Sequence, residues 1–520
     1  MNQVLIKALQ NPALYPHETS DIRVIETHIS TVILTGPYAY KIKKPVNFGF
    51  LDFSCLEARK HFCHEEIRLN QRLTSDLYLD VIAITGSAEA PQLNGQGEAI
   101  EYAIRMRQFP QEQLLDQRLQ RGELGASDID ALTSQIARFH QQAPVVASDH
   151  PLAQPAAIMA PVRQNFEQIR PLLSEKQDLQ QLDALEAWAE DSFQRLLPLL
   201  EQRCQNGSIR ECHGDIHLGN ATMLDGEVVL FDCIEFNEPF RLIDIACDAF
   251  FLAMDLEDRG LHDLANRFAN NWLEQTGDYQ CLPLIGFYKA YRAMVRAKVN
   301  LFRIGQESDP AIQAEVLRQY RSYTSLAESY CAIPIRFLAI THGVSACGKS
   351  TVAMQLVEQL GALRLRSDVE RKRLFGQQQD AGNPLNEGIY SPSMTAQTYA
   401  HLHQQALAAL QAGFPVVIDA TYLQQEQRQL AAEVAQSSGV PLLILDCQAP
   451  EQVINDWLLE RQAAGTDPSD ATPEVIAAQQ ASRQPLTAEE LQYSQTVFTH
   501  DAVSMNNLVE QIRSKLPLAP

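Results

Sequence analysis

The spacing of apolar residues divides the chain into segments with different predicted structures. Short strand-like stretches surround one helix over residues 21–110, and apolar positions three and four apart predict helices over 126–205. Residues 208–254 combine a loop, a hairpin and a helix, and the helical spacing returns over 260–330. From Arg336 onward strands alternate with helices, a pattern typical of an α/β domain with a parallel sheet.

The break between these two patterns lies at Cys331-Ala332-Ile333-Pro334, because proline cannot continue a helix. We therefore predict two domains, residues 1–332 and residues 333–520. Two domains also suit the length, since 520 residues exceed what one hydrophobic core normally supports.

Composition narrows the class of protein. The chain has 42 Lys and Arg against 64 Asp and Glu, a net charge of -22, so we expect no general nucleic-acid-binding surface. No apolar run reaches the roughly 18 residues of a membrane span, and the first ten residues lack the apolar segment of a signal peptide. The ten cysteines form no C-x-x-C pair, which disfavours structural zinc and a disulfide framework. These features predict a cytoplasmic protein without a membrane partner.

A glycine-rich motif begins the second predicted domain. Residues 343–350 read GVSACGKS, which fits G-x-x-x-x-G-K-[ST] between an apolar strand and a helical segment that ends at Gly361. Backbone N–H groups of such a loop surround phosphates, while Lys349 is expected to reach the β- and γ-phosphates of ATP and Ser350 to hold Mg²⁺. The predicted ATP-binding residues are Gly343, Val344, Ser345, Ala346, Cys347, Gly348, Lys349, Ser350 and Thr351.

Two carboxylates follow predicted strands beside this motif. Asp368 comes directly after the strand Leu363–Arg366, where it is placed to accept the proton of a hydroxyl group. Arg371 shares a helical face with Asp368 and would hold an anionic acceptor, although the pair also fits a helix cap with a surface arginine. Asp419 ends the next buried strand, which suits a contact to a Mg²⁺-bound water, a substrate contact or a simple turn residue.

The sequences SDVER and IDATYL that carry these carboxylates resemble the polynucleotide-kinase and zeta-toxin branch of P-loop kinases. The resemblance implies that Asp368 is the base and that Arg371 holds the acceptor or a phosphate. It also implies that Arg461 and Arg483 belong to a lid over the phosphates. The net acidity argues against a long polynucleotide as the acceptor, so a small molecule or a nucleotide is expected.

A second motif lies in the first predicted domain, where residues 213–220 read HGDIHLGN. The Asp-Gly pair at 225 and 226 predicts a hairpin that returns Asp232 close to Asn220. An amide oxygen and a carboxylate presented together suit Mg²⁺. Asp215 would face the same place as the acceptor of a hydroxyl proton, which is the arrangement that kinase phosphoryl transfer requires.

The segments HGDIHLGN and FDCIEFN resemble the aminoglycoside phosphotransferase family, which has a protein-kinase-like fold. The resemblance implies an α+β first domain in which Asp215 is the catalytic base and Asn220 and Asp232 bind the metal. It further implies that His213 braces the loop and that Asp244 anchors it.

Such a fold needs a lysine for the phosphates. Lys41 is preferred because Ala39-x-Lys41 matches the kinase A-x-K spacing, and Lys43 is second because period two places it on the same face. Glu66 on the following helix is the expected partner of that lysine, with Glu65 as the alternative. No G-x-G-x-x-G precedes the lysine, which departs from protein kinases.

Together the two halves are similar to a bacterial family that joins an aminoglycoside-phosphotransferase-like domain to a P-loop ATP-binding domain of the AAA type. The hypothesis is a bifunctional, Mg²⁺- and ATP-dependent phosphotransferase that acts on hydroxyl groups of a small metabolite such as a sugar, nucleoside or amino alcohol. Two alternatives stay open: an ATP-binding regulatory protein, and a kinase or nucleotidyl transferase that modifies protein or RNA. The sequence leaves the acceptor and the oligomeric state undetermined.

Overall fold

The computed structural model describes residues 3–49, 51–304, 309–331, 335–375, 388–464 and 471–516. The chain divides into two compact units, and the first comprises Met1–Asp258 and Phe287–Ala327. The second comprises Arg259–Gly286 and Glu328–Pro520. The predicted domain boundary falls within 332–334, which lies outside the described residues, and it stays a prediction.

A six-stranded antiparallel sheet occupies the start of the first unit, in the order β1-β2-β3-β6-β4-β5. Its strands are β1 (Arg23–Glu26), β2 (Ser30–Leu34), β3 (Tyr38–Lys43), β4 (Tyr78–Gly86), β5 (Pro91–Leu93) and β6 (Ala99–Arg107). Helix α1 (Gln3–Ala8) precedes the sheet, and α2 (Leu56–Asn70) packs against β4 and β6. In β3, Tyr40 and Ile42 face one apolar core, so Lys41 and Lys43 share the opposite face of the sheet.

The next part of the chain is mostly helical. Its helices are α3 (Leu115–Gln120), α4 (Ala126–Gln142), α5 (Pro155–Ile169), α6 (Lys176–Gln205), α7 (Glu238–Arg241), α8 (Ile245–Asp258), α9 (His262–Thr276), α10 (Ile285–Leu301) and α11 (Pro310–Ser329). Two antiparallel strand pairs lie among them: β7 (Ile209–Glu211) with β10 (Leu242–Asp244), and β8 (Ala221–Leu224) with β9 (Glu227–Leu230). This antiparallel sheet with separate helices makes the first unit an α+β structure.

A five-stranded parallel sheet forms the centre of the second unit, in the order β12-β13-β11-β14-β15. The strands are β11 (Leu338–His342), β12 (Leu363–Arg366), β13 (Val416–Asp419), β14 (Leu442–Gln448) and β15 (Ser494–Phe498). The helices are α12 (Lys349–Leu360), α13 (Ser367–Phe375), α14 (Pro392–Gln411), α15 (Gln425–Ser437), α16 (Glu451–Ala464), α17 (Pro473–Ser482) and α18 (Ala502–Lys515). Every residue of β11 and β13 is buried, as expected when helices cover both faces of a parallel sheet. The predicted α/β class of this part is confirmed.

Helix α9 packs within the second unit, against α12. The amide of Asn266 donates to the carbonyl of Glu358 over 2.9 Å, and Arg267 pairs with the Glu358 carboxylate over 2.6 Å. Glu274 of the same helix pairs with Arg364 of β12 over 3.0 Å. These polar contacts fix α9 on the P-loop helix and on the edge strand of the sheet.

None of the helices in the described ranges combines the length and the apolar character that crossing a bilayer requires.

Candidate active sites

The predicted hairpin forms and brings the two halves of the first site together. Strands β8 and β9 are joined by Asp225 and Gly226, both with positive φ (52° and 87°), as a two-residue turn of type I′ requires. At the open end of the hairpin the amide of Phe231 donates to the carbonyl of Asn220 over 2.9 Å. The residue after Phe231 is Asp232, so the prediction that the hairpin returns Asp232 close to Asn220 is confirmed.

Asn220 and His217 both contact the predicted base, Asp215. The side-chain nitrogen of Asn220 donates to the Asp215 carbonyl over 3.0 Å and to its carboxylate Oδ2 over 3.2 Å. His217 Nε2 lies 3.4 Å from the same Oδ2. Burial by itself raises the pKa of Asp215, but His217 and then Arg296 outweigh it and hold the pKa below its ordinary value. Asp215 is therefore an ionised carboxylate at neutral pH.

Lys41 links the helix α2 to the hairpin. Its Nζ lies 2.7 Å from Glu66 Oε1 and 2.6 Å from Asp232 Oδ1. Glu66 is fully buried, whereas the side chain of Asp232 is 40% exposed. The ammonium group of Lys41 is therefore enclosed on the Glu66 side and nearer to solvent on the Asp232 side. Asp232 also has a left-handed backbone with φ of 68°, which is uncommon outside glycine and clusters at functional sites.

Lys43 lies deeper than Lys41 and has different partners. Its side chain is 1% exposed, its Nζ lies 2.5 Å from Glu66 Oε2, and it also pairs with Glu235. The same Nζ lies 4.8 Å from the centre of the Phe53 ring. Burial raises the pKa of Glu235 despite Lys43, while both lysines lower the pKa of Glu66 against its burial. The alternative partner, Glu65, pairs with Arg68 instead, over 2.8 Å.

The loop that carries Asp215 is held by carboxylates of α8. Asp248 accepts the backbone amides of His213 (2.9 Å) and Gly214 (2.8 Å) and contacts His140 Nε2 at 3.1 Å. Asp255, two turns further on, accepts the amide of Leu218 over 3.0 Å. Sequence reasoning missed both residues, although their spacing of seven residues, two helical turns, places them on one face of α8.

His213 and Asp244 have structural contacts. The His213 ring is fully buried, with Nε2 2.9 Å from the carbonyl of Phe231 and Nδ1 accepting the amide of Asp215 over 3.2 Å. Asp244 accepts two bonds from Arg203, over 2.5 and 2.7 Å, and one from Tyr288 over 3.0 Å. The side chain of Asp244 thus binds α6 and α10, and the loop-anchoring contacts predicted for it are made by Asp248.

The second site begins at the loop between β11 and α12. Its backbone is left-handed at Gly343 (φ 146°), Ala346 (φ 61°) and Gly348 (φ 86°), which turns the chain sharply before the helix starts at Lys349. Lys349 Nζ donates to the carbonyl of Val344 over 2.6 Å. The remaining predicted positions lie where the motif implies: Ser345 and Cys347 in the turn, and Ser350 and Thr351 in the first turn of α12.

The carboxylates predicted beside this loop lie at the carboxyl ends of neighbouring strands. Arg366 of β12 is opposite Asp419 of β13 in the parallel ladder, with Arg366 Nε 3.9 Å from Asp419 Oδ2. Asp368 lies in the first turn of α13, where burial raises its pKa above the ordinary value although Arg371 lowers it. Arg371 is 5% exposed, donates to the Ile389 carbonyl over 2.8 Å and lies over the Tyr390 ring at 4.9 Å.

The two arginines predicted for a lid, Arg461 and Arg483, lie near the ends of two different helices of the second unit. Arg461 lies in the last turn of α16. Arg483 follows α17 and donates to Asp446 Oδ1 over 2.8 Å and to His342 Nε2 over 3.1 Å. Burial and the neighbouring Arg483 lower the pKa of His342, so the ring is neutral and its Nε2 accepts the bond. Arg483 is thus tied to strand ends of the central sheet.

Two family models match the chain. The model of the phosphotransferase enzyme family matches residues 57–285, and the model of the AAA domain matches residues 338–486. The matched segments contain the two motifs, and they confirm the predicted fold classes: a protein-kinase-like phosphotransferase domain followed by an α/β P-loop domain.

Solved structures of kinases are similar to parts of the chain. A choline/ethanolamine kinase family protein from Mesorhizobium loti is 9% identical over 64% of this chain and 98% of its own, with a TM-score of 0.40. A gluconokinase from Sinorhizobium meliloti is 16% identical over 35% of this chain and 98% of its own, with a TM-score of 0.26.

Three curated relatives match most of the length of the chain. Rv2004c of Mycobacterium tuberculosis and Mb2027c of Mycobacterium bovis, both described as uncharacterized proteins, are 31% identical to the chain over 459 residues. The match covers 88% of this chain and 89% of each relative. The chain belongs to the same family as these mycobacterial proteins, and it joins a domain of the phosphotransferase enzyme family to a kinase-like P-loop AAA domain.

Proposed function

We propose that the chain is an ATP-dependent phosphotransferase with two nucleotide sites, each of which transfers the γ-phosphate of ATP to a hydroxyl group of a small metabolite. The observation that carries the proposal is the convergence in the first unit of an ionised carboxylate, an amide, a second carboxylate and a lysine. These groups come from three separate segments, and kinase phosphoryl transfer needs a base, metal ligands and a phosphate-binding cation at one place.

The residues of the first site fit Mg²⁺ and ATP. The side-chain nitrogen of Asn220 is committed to Asp215, so its oxygen is the atom left for a cation, and Asp232 supplies a partly exposed carboxylate. Lys41 would orient the phosphates, with Glu66 holding the ammonium group in place. When bound, Mg²⁺·ATP supplies the phosphoryl group with its charge neutralised. Asp215 would then accept the proton of the acceptor hydroxyl.

In the second site we assign the analogous roles to residues of the P-loop unit. Lys349 and Ser350 would hold the phosphates and Mg²⁺, and Asp368 would accept the hydroxyl proton. The buried guanidinium of Arg371, three residues after Asp368, would bind an anionic part of the acceptor. Asp419, at the end of β13 beside Arg366, would contact a water of the metal ion or the substrate.

The proposed acceptor is a small molecule that carries a hydroxyl group. The net charge of -22 disfavours a long polynucleotide, so a sugar, nucleoside or amino alcohol is proposed, in the cytoplasm where ATP is supplied. The two competing functions are a regulatory protein that binds ATP without transfer, and an enzyme that modifies protein or RNA.

The proposal is tested by incubating γ-labelled ATP with a fractionated metabolite extract and the full-length chain. We expect label in a small molecule. Lys349→Ala should remove the products of the second site and leave those of the first, and Asp215→Asn should do the reverse. Label in protein or RNA would favour the macromolecular alternative. ATP binding without label in any fraction would favour the regulatory alternative and contradict the proposed transfer.

The two sites are expected to lose activity at different acidic pH values. A protonated carboxyl cannot accept a hydroxyl proton, so activity falls as the pH drops through the pKa of the base. Neighbouring cationic groups lower the pKa of Asp215, whereas burial raises that of Asp368. Label transfer by the Lys349→Ala variant should therefore persist to lower pH than transfer by the Asp215→Asn variant, and the opposite order would contradict the assignment of the bases.

His217 is expected to influence the acidic pH at which the first site loses activity. His217→Gln removes the group that contributes most to lowering the pKa of Asp215. The acid limb of first-site transfer should then move to higher pH, while the rate above pH 7 changes little because Asp215 stays ionised there. A pH–rate profile of the Lys349→Ala, His217→Gln double variant measures this shift. An unmoved limb would show that His217 does not act on the base.

A further inference from the structure

Helix α17 presents one face to the glycine-rich loop of the second unit. Ile476 and Gln479 are three residues apart in α17 and so share this face, and Arg483 follows directly after the last residue of the helix. Ile476 is 5% exposed and packs in the core that also contains Val344 and Cys347 of the loop. With Arg483 bound to the strand ends, the helix is held against the sheet on both sides of Gln479.

Gln479 uses both ends of its side-chain amide on one residue of the loop. Its Oε1 accepts the backbone amide of Ser345 over 2.7 Å, and its Nε2 donates to Ser345 Oγ over 3.1 Å. A glutamine amide has one acceptor end and one donor end, so this contact fixes the backbone and the side chain of Ser345 together.

The loop needs such contacts to keep its shape. Ala346, directly after Ser345, has a φ of 61°, a region that residues with a Cβ atom rarely adopt without support from their surroundings. Thr499 provides support on the other side, where its Oγ1 donates to the carbonyl of Cys347 over 2.8 Å. Gln479 and Thr499 thus hold the residues on either side of Ala346.

We propose that Gln479 is a positioning residue of the second nucleotide site. By holding Ser345, it keeps the backbone N–H groups of the loop in the arrangement that binds the phosphates of ATP. This inference rests on the proposed function, because it assumes that the loop binds a nucleotide. Gln479 acts through Ser345 and thereby adds α17 to the elements that determine nucleotide affinity.

The test is calorimetric titration of Mg²⁺·ATP into the full-length chain. Every variant also carries Asp215→Asn, which prevents transfer at the first site. The binding that Lys349→Ala removes is the binding at the P-loop. Gln479→Ala should weaken that binding about five- to tenfold, the effect of losing one or two neutral hydrogen bonds. Gln479→Glu should weaken it further, because it places a negative charge beside the phosphates.

Gln480→Ala is the matched control, since Gln480 is the next residue of the same helix and is exposed. It should leave both the affinity and the unfolding temperature unchanged. If Gln479→Ala leaves the ATP affinity unchanged, with or without a lower unfolding temperature, Gln479 has only a structural role and the proposal is wrong. Tighter binding would show that Gln479 competes with the nucleotide, which also overturns the proposal. If Lys349→Ala removes no binding, the second nucleotide site itself fails.

Discussion

Asp215→Asn is expected to lower phosphotransfer at the first site by about 10²- to 10⁴-fold, the usual contribution of a general base. The substitution keeps the shape of the side chain and the contacts with Asn220 and His217 but removes the charge that accepts the hydroxyl proton. Binding of ATP should change little, because the proposed role of the carboxylate is toward the acceptor and not toward the nucleotide. The measurement is the rate of label transfer in the Lys349→Ala background, which isolates the first site.

Asp225→Asn is the control for this substitution. This substitution makes the same chemical change in the turn of the hairpin, where the side chain of Asp225 is 66% exposed and pairs with Arg107. Asparagine also tolerates its left-handed backbone, so the turn should persist. Full transfer by Asp215→Asn would contradict the assignment of the base, whereas equal losses in both variants would point to a general disturbance of the hairpin.

Lys41→Met is expected to lose phosphotransfer and Lys43→Met to lose stability, although the two lysines are two residues apart on one strand. Lys41 is 15% exposed and contacts the partly exposed Asp232, so its loss should lower transfer by about 10²- to 10³-fold, as for other preorganised electrostatic contacts. Lys43 is enclosed by Glu66 and Glu235, and its loss leaves a buried carboxylate without its partner. Breaking a buried ion pair in this way costs about 3–5 kcal/mol of folding free energy.

Urea unfolding and label transfer, measured on both variants, separate these two roles. Lys41→Met should keep the unfolding midpoint close to that of the unmodified chain and lose transfer. Lys43→Met should unfold at clearly lower urea, and its remaining folded fraction should still transfer label. The reverse assignment would be supported if Lys43→Met kept full stability and lost transfer. Lys60→Met, on the exposed face of α2, serves as the control for removing a lysine near these residues.

Much of the second unit was predictable because its signals are local. The strand Leu363–Arg366, the helix end at Gly361 and the P-loop turn all follow from adjacent residues, and the structure has them at these positions. The hairpin at Asp225 and Gly226 was predictable for the same reason, since both residues favour positive φ. Where backbone preference and hydrophobic spacing act over a few residues, the sequence alone determines the outcome.

The difference in exposure between Lys41 and Lys43 depended on the tertiary structure. Period two places both lysines on one face, and both contact Glu66. Only the packing of Phe53 and Glu235 around Lys43 leaves Lys41 nearer to solvent, and those residues come from separate segments of the chain. The same holds for Asp248, which anchors the loop that carries Asp215 from 35 residues away.

The sequence by itself determined the two fold classes, the two motifs and the turns that present them, because periodicity and glycine preferences are properties of neighbouring residues. The tertiary structure decided which carboxylate holds the loop, that Gln479 binds Ser345, and that α9 packs on α12 in the second unit. The hydrophobic pattern of α9 shows that one face is buried but not what covers it, since many apolar surfaces would satisfy that face equally well.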